Sequence, residues 1–461
     1  MTAATGPRQT ASVVIDNAAV ATLDAAGTEH ARGHVIVTDG RIAAVGAGPA
    51  VRPAGPHTYL DATGCLVTPG LVNTHHHLYQ WATRGFARDA TLFEWLTTLY
   101  PVWTRLDAEI TAAASAAGMA RLALTGCTTV ADHHYVFPTD GGDQIAALVD
   151  SSRRTGLRLH VVRGSMDRGR SQGGLPPDNL VEDTEQALVG TEEAIRIHHD
   201  PDPLGLVRVA VGPCSPFSVS RELMERAAEL ARRHGVRLHT HLAETLDEER
   251  QCLEENGRTP AQYADDLGWL GEDVWLAHAV HLADEAVQRF GETGTGVAHC
   301  PSSNGRLGSG LAPVRHLLDA GAPVGLGVDG VASNESGGLG EELRQALLVA
   351  RLREGPRGLT VREALRLATM GGARCLGRQA DLGSIEHGKV ADLAVWRLDG
   401  LGHAGIADPV AALVLGPAPL AEHVFVGGRP VVAGGELRTA DLDSVTRDLR
   451  AACRRLTEVS R

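Results

Sequence analysis

The sequence predicts an α/β architecture: a (β/α)8 TIM-like barrel with a small β-sandwich domain formed from both chain ends. Three observations lead there. Eight short β-rich segments alternate with longer helical ones through the middle of the 461-residue chain. Alternating apolar runs, broken by Asp-Gly and Gly turns, occupy the two ends. Histidines and acidic residues gather at the C-terminal ends of the β-rich segments, where such barrels carry their active sites.

The opening runs are "ASVVIDNAAVATLD", "HVIVTDGRIAAVG" and "HTYLDATGCLVTPG", which read as antiparallel strands. The same texture returns in "KVADLAVWRL" and "HVFVGGRPVVAGGEL", so the two ends are expected to pair. The eight candidate barrel strands span 70–75, 127–132, 157–162, 205–212, 236–241, 274–279, 295–300 and 323–329. Helices intervene, as in "SRELMERAAELARRHG" (220–235), which places Leu223, Ala227 and Leu230 on one face and stops at Gly235. "APVRHLLDAG" (312–321) reads the same way. "GGARCLG" lacks a phosphate-loop pattern and is expected to be a turn. The tail "LDSVTRDLRAACRRLTEVSR" predicts an amphipathic surface helix. The expected division is therefore 1–67 for the first part of the β-sandwich, 68–378 for the barrel, and 379–461 for the rest of the sandwich plus a terminal helix.

Composition narrows the setting. Apolar residues make up 43% of the chain, ample for a large core. No run approaches about 20 apolar residues, so no membrane span is expected. "MTAATGPRQTASVVIDN" lacks a basic segment followed by a greasy one, so no signal peptide is expected. A net charge of -13 argues against nonspecific nucleic-acid binding. Seven widely spaced cysteines without a CxxC fit reduced thiols and a cytoplasmic location. The chain has a single lysine, Lys389, which excludes lysine chemistry anywhere before it.

The site reading starts from "GLVNTHHHLYQ" (70–80). Strand side chains alternate, so His75 and His77 share a face while His76 points away. The fifth strand ends in "HTHLAET", with His241 at its mouth, Glu244 three residues on, and His239 one layer deeper. The sixth carries His278 and the eighth ends in Asp329. Three imidazoles and a carboxylate at strand mouths suit zinc or ferrous iron. Such a metal lowers the pKa of water, and Glu244 and His278 could then move protons and polarise a substrate. Gln80, in the first loop, could offer a donor and an acceptor to a purine edge, though an ordinary surface glutamine explains it equally well. Trp95 and Trp103 suit either an apolar lid or core packing. His239 is expected either to support the ligands from behind or to be a buried structural residue, not to be a ligand itself. His198 and His199 are expected in an exposed loop. His76, His133, His134 and His281 carry no assigned role.

Together "PGLVNTHHH", "HTHLAET", "AHAVHL", "HCPSSN" and "GLGVDGVASN" resemble, in order, the amidohydrolase superfamily, in its branch of aminohydrolases acting on nucleobases and related heterocycles. Within that branch "NTHHHLYQ", "LFEWLTTLYPVW", "GCTTVADHHYVFP" and "HCPSSNGRLGSGLAPVR" are most similar to the 8-oxoguanine deaminases. The resemblance implies that His75, His77, His241 and Asp329 hold one divalent ion, zinc first and ferrous iron as the alternative. It also implies that Glu244, His278 and Asp329 are catalytic, and that the chain assembles as a homo-oligomer. Many barrel hydrolases bridge two metals with a carboxylated lysine from the fourth strand. "GLVRVAVG" offers neither lysine nor glutamate, so one metal is expected. The expected reaction is deamination of an amino-substituted purine, 8-oxoguanine to uric acid and ammonia, by attack of a metal-bound hydroxide on the amino-bearing ring carbon. Asp329 would take the proton and Glu244 would protonate the adjacent ring nitrogen. Two other readings stand beside it. One is an aminohydrolase or chlorohydrolase of isocytosine, guanine, a pterin or a hydroxytriazine. The other is a metal-binding scaffold without catalysis.

Overall fold

The computed structural model describes residues 12–458. Most of the N-terminal stretch in which no signal peptide is expected lies outside that range.

All eight predicted barrel segments are strands: Leu71–Asn73, Cys127–His134, Arg158–Ser165, Val207–Pro213, Leu238–Leu242, Val274–His278, Gly296–His299 and Val324–Leu326. They pair in sequence order, and every pairing between neighbours is parallel. The seam between the eighth and first strands is closed by fewer bonds. Thr74 N donates to Leu326 O (2.9 Å) and Asp329 N to His75 O (3.0 Å). His76–His77 then pairs in parallel with Asp329–Gly330. His76, whose ring stands apart from its two neighbours' site, thus contributes its backbone to barrel closure.

The helix predicted over 220–235 runs Arg221–His234. Ser220 Oγ accepts from Leu223 N at its start, and Gly235 (φ 64°) ends it. Its buried face holds Leu223, Met224, Ala227, Ala228, Leu230 and Ala231. Two expectations are corrected. "GGARCLG" is mostly helical, not a turn, within a stretch that runs Leu367–Gly371 and Gly372–Cys375. A Cβ on Gly371 would lie 2.1 Å from the Val324 carbonyl oxygen, so the glycine serves close helix-to-strand packing. His198 and His199 are half-buried at the end of helix Thr184–His198, and His199 Nδ1 accepts from Val209 N (3.1 Å).

The end segments build their own β domain. Strands Ser12–Ala21, Glu29–Thr38, Arg41–Ala47, His57–Asp61 and Cys65–Pro69 join Leu393–Arg397, His423–Val426, Arg429–Ala433 and Glu436–Leu437 in one nine-stranded sheet. Ser12–Ala21 forks, pairing with His57–Asp61 along its first half and with Cys65–Pro69 further on. The two ends meet where Cys65–Pro69 runs antiparallel to Leu393–Arg397. Alternation divides these strands between two cores. Val67, Leu393 and Val395 pack with Val13, Val35, Ile42 and Phe425. Leu66, Ala394 and Trp396 join the barrel's core. The tail forms helix Leu442–Glu458 and buries Val445, Ala452 and Leu456. No helix among the described residues is long and apolar enough to cross a membrane.

A buried ion pair ties the β domain to the foot of the barrel. Arg158, at the start of the third strand, donates from Nε to Asp392 Oδ2 (2.8 Å) and from Nη2 to Oδ1 (3.1 Å). Its Nη1 donates to the carbonyls of Leu204 and Gly205, and Gly427 N donates to Asp392 Oδ1. Removing one partner would strand the other charge in a desolvated place. Asp392→Ala is therefore expected to destabilise the protein by about 3–5 kcal/mol in denaturant unfolding. A change below about 1 kcal/mol, the range of exposed pairs, would show that the pair carries no such burden.

Candidate active site

Each sequence-predicted ligand lies at the C-terminal mouth of its strand, and the fold brings the set together. His77 Nε2 is 3.1 Å from His241 Nε2 and 3.2 Å from Asp329 Oδ1. His75 Nε2 lies 3.3 Å from the same oxygen. One donor atom from each of His75, His77, His241 and Asp329 falls within 4.8 Å of the others, and all four residues are buried.

Second-layer bonds fix which nitrogen faces the centre. His77 Nδ1–H donates to the His133 carbonyl and His241 Nδ1–H to the Cys214 carbonyl, both at 2.6 Å. For His75 the fixing takes two steps. His239 Nδ1–H donates to the Trp275 carbonyl (2.8 Å), which leaves His239 Nε2 free to accept from His75 Nδ1–H (2.8 Å). Every Nε2 in the trio is then a bare lone pair aimed inward. Lone pairs 3.1 Å apart, with His75 Nε2 buried and lacking a hydrogen-bond partner, repel unless a cation lies between them. Three imidazole nitrogens and a carboxylate oxygen are a donor set that zinc accepts, so the residues fit a divalent ion.

The catalytic candidates flank this group. His278 Nδ1–H donates to Asn304 Oδ1 (2.9 Å), turning Nε2 toward Glu244 Oε2 (3.5 Å) and Asp329 Oδ2 (3.9 Å). Burial pushes the Glu244 carboxyl up to about 7, against the opposing pull of His278. Burial lowers His278, but the Glu244 and Asp329 carboxylates outweigh it and raise the imidazole. Glu244 and His278 therefore titrate as a coupled pair. The backbone is strained at these strand mouths: Ala243, His278, Ala279 and Asp329 all have positive φ, between 48° and 73°. Such conformations cost about 1–3 kcal/mol each and persist where surrounding packing holds a functional side chain in place.

A pocket opens over the centre, walled by Leu92, Trp95, Leu96, Tyr100 and Phe217, with Gln80, His77, His241, Glu244, His278 and Asp329 at its base. Helix Leu92–Trp103 supplies most of the apolar wall from one face. Trp95 faces the pocket and is anchored by Nε1 donating to Ala332 O (3.1 Å), whereas Trp103 is wholly buried core. The surface reading of Gln80 fails: the residue is fully buried, and neither amide atom has a hydrogen-bond partner among the described residues.

Residues 66–431 match the model of the amidohydrolase family. The chain belongs to that family. A protein named 8-oxoguanine deaminase, from Pseudomonas aeruginosa, is 48% identical over 428 residues, covering 92% of this chain and 94% of the relative. A protein named isoxanthopterin deaminase, from an unknown prokaryotic organism, is 36% identical over 96% of this chain and 97% of its own length. Among solved family members, the atrazine chlorohydrolase TrzN from Arthrobacter aurescens TC1, complexed with zinc, superposes with a TM-score of 0.90 at 35% identity. The match covers 96% of this chain and all of that one.

Several supporting residues carry no role in the sequence reading. Ser303 Oγ (2.6 Å) and Ser333 Oγ (3.3 Å) both donate to Asp329 Oδ2. Glu248 accepts from the backbone N–H groups of Ala243 (2.9 Å) and Glu244 (2.7 Å), pinning the strained turn. Ser303 and Asn304 lie inside "HCPSSN", which signals the family but not which atom each side chain holds. His133 donates to Gly212 O, His134 bonds Val136 O, and His281 bonds Ser309 O, so all three have local partners. If the His239 relay sets the tautomer of His75, His239→Phe should weaken divalent-metal binding by about 10–100-fold in competition with a chelator. Unchanged affinity would contradict the relay.

Proposed function

We propose that this chain is a metal-dependent hydrolytic deaminase of amino-substituted purines, converting 8-oxoguanine to uric acid and ammonia. The observation that carries this reading is 48% identity, across nearly the whole chain, to a protein named for that activity. The arrangement of the site supports it independently. In this reading His75, His77, His241 and Asp329 hold one ion, which we assign as zinc from the donor set and from the zinc in the family relative. The ion supplies Lewis acidity that makes water a nucleophile near neutral pH.

The chain's own groups do the rest. Asp329 Oδ2, held by Ser303 and Ser333, receives the proton lost by the attacking water. Glu244 Oε2 carries a proton to the ring nitrogen beside the amino-bearing carbon, which is C2 in 8-oxoguanine. His278 Nε2 lies between the two carboxylates and polarises the group under attack. Proton delivery through Asp329 and Glu244 then lets ammonia depart. Gln80 presents its free amide to the purine edge, where a matching donor and acceptor satisfy an otherwise costly buried pair. Leu92, Trp95 and Phe217 cover the base and exclude water. The isoxanthopterin relative favours a pterin as the second reading, because pterins carry the same fused amino-amide ring edge.

Glu244→Gln is expected to keep its metal and lose about 10²–10⁴-fold in turnover; normal turnover would remove Glu244 from proton transfer. Ammonia release from 8-oxoguanine, guanine, isocytosine, a pterin and a hydroxytriazine, measured side by side, should favour 8-oxoguanine. Preference for another compound would overturn the substrate while leaving the centre intact.

A further inference from the structure

A second cavity lies at the opposite end of the barrel, beneath the N-terminal ends of the third, fourth and fifth strands. His160, Arg208 and Arg237 line it, near the starts of strands Arg158–Ser165, Val207–Pro213 and Leu238–Leu242. Each shares its strand face with an inward residue one step further along: Val162, Ala210 and His239. The cavity is therefore the lower continuation of the barrel interior. Trp275 separates it from the metal group, with its ring stacked on His239 (4.5 Å between centroids) and tilted against His160 (5.4 Å).

Charge in this cavity is unbalanced. Asp381 alone serves both Arg208 (3.6 Å) and Arg378 (3.5 Å). Arg237 has no ion pair among the described residues, and its Nη2 donates only to the Glu272 carbonyl. The Nε atoms of Arg208 and Arg237 are buried and lack hydrogen-bond partners. His160 is only 4% exposed, and neither ring nitrogen finds a partner among the described residues. Gly377 (φ 64°) closes one wall, and a Cβ there would lie 2.7 Å from Arg237 Nη1, so the glycine leaves room for the guanidinium. Arg208 and Arg237 are half-buried, and cationic groups drawn away from water normally carry a matching anion.

We propose that His160, Arg208 and Arg237 form a binding site for a phosphate group, free or on a phosphomonoester. Guanidinium forks match phosphate oxygens in pairs, and a histidine N–H adds a third donor from another wall. Desolvation presses the proton affinities of Arg208, Arg237 and Arg378 downward, with Arg378 at about 10, and a bound dianion would relieve that pressure.

The test is calorimetric titration of the zinc-loaded enzyme with inorganic phosphate and, separately, with ribose 5-phosphate, in wild type, Arg237→Gln and His160→Leu. One saturable site is expected in wild type, weakened at least about tenfold, or 1.4 kcal/mol, in each variant. Tighter binding of ribose 5-phosphate would place the phosphate on an ester; equal or weaker binding would place it on the free anion. Absence of saturable binding in wild type, or binding unaffected by both substitutions, would overturn the site. A crystal structure of wild-type enzyme grown in phosphate needs no variant to fold. Density between Arg208, Arg237 and His160 is expected; density confined to the metal group, or none, would overturn the proposal.

Discussion

Three imidazole lone pairs and a carboxylate are forced together in a place without water, and most of the barrel's upper end exists to hold them there. Left alone the arrangement is unfavourable, because like-polarised atoms approach to about 3 Å with no proton between them. A divalent ion converts that repulsion into coordination. The tautomers make the choice binary. Carbonyls of His133 and Cys214, and the His239–Trp275 relay, occupy every Nδ1–H, so the inward nitrogens are committed as acceptors before any ion arrives.

The same commitment runs outward into the fold. The rung between His76 and Asp329 closes the barrel and at the same time sets the height of Asp329 against His75 and His77. Positive φ at Ala243, His278, Ala279 and Asp329 turns the chain sharply off three strand ends, so that Glu244, His278 and Asp329 converge instead of continuing along the sheet. Glu248 and the paired serines Ser303 and Ser333 absorb the exposed backbone and carboxylate valences that such turns create. Barrel closure and the gathering of the four donors therefore depend on the same few residues.

Much of this was legible in the chain itself, for physical reasons that differ by element. The eight barrel strands announce themselves as short apolar runs between capped amphipathic helices, and their mouths fall where His75, His77, His241, His278 and Asp329 stand. Alternation alone separates His76 from its neighbours. What escaped reading depends on distance between segments. Nothing local says that Ser303 and Ser333, 30 residues apart, meet on one oxygen of Asp329. Gln80 stood between a purine-edge contact and an ordinary surface glutamine, and only its burial, with an unsatisfied amide at the pocket base, removes the surface alternative. Arg208 and Arg237 carry no local signal in the sequence, because only the closed barrel turns them onto a common cavity. His199 and "GGARCLG" misled for the opposite reason: polar or glycine-rich composition suggested loops, whereas packing made one half-buried and the other largely helical.

The most direct test of a mononuclear centre is to count metal per chain in purified enzyme and assay the same sample before and after chelation. One divalent ion per chain, with turnover lost on its removal and regained on adding back zinc, is expected from a four-donor group that lacks a bridging lysine. Two ions per chain, or full turnover in metal-free protein, would contradict it.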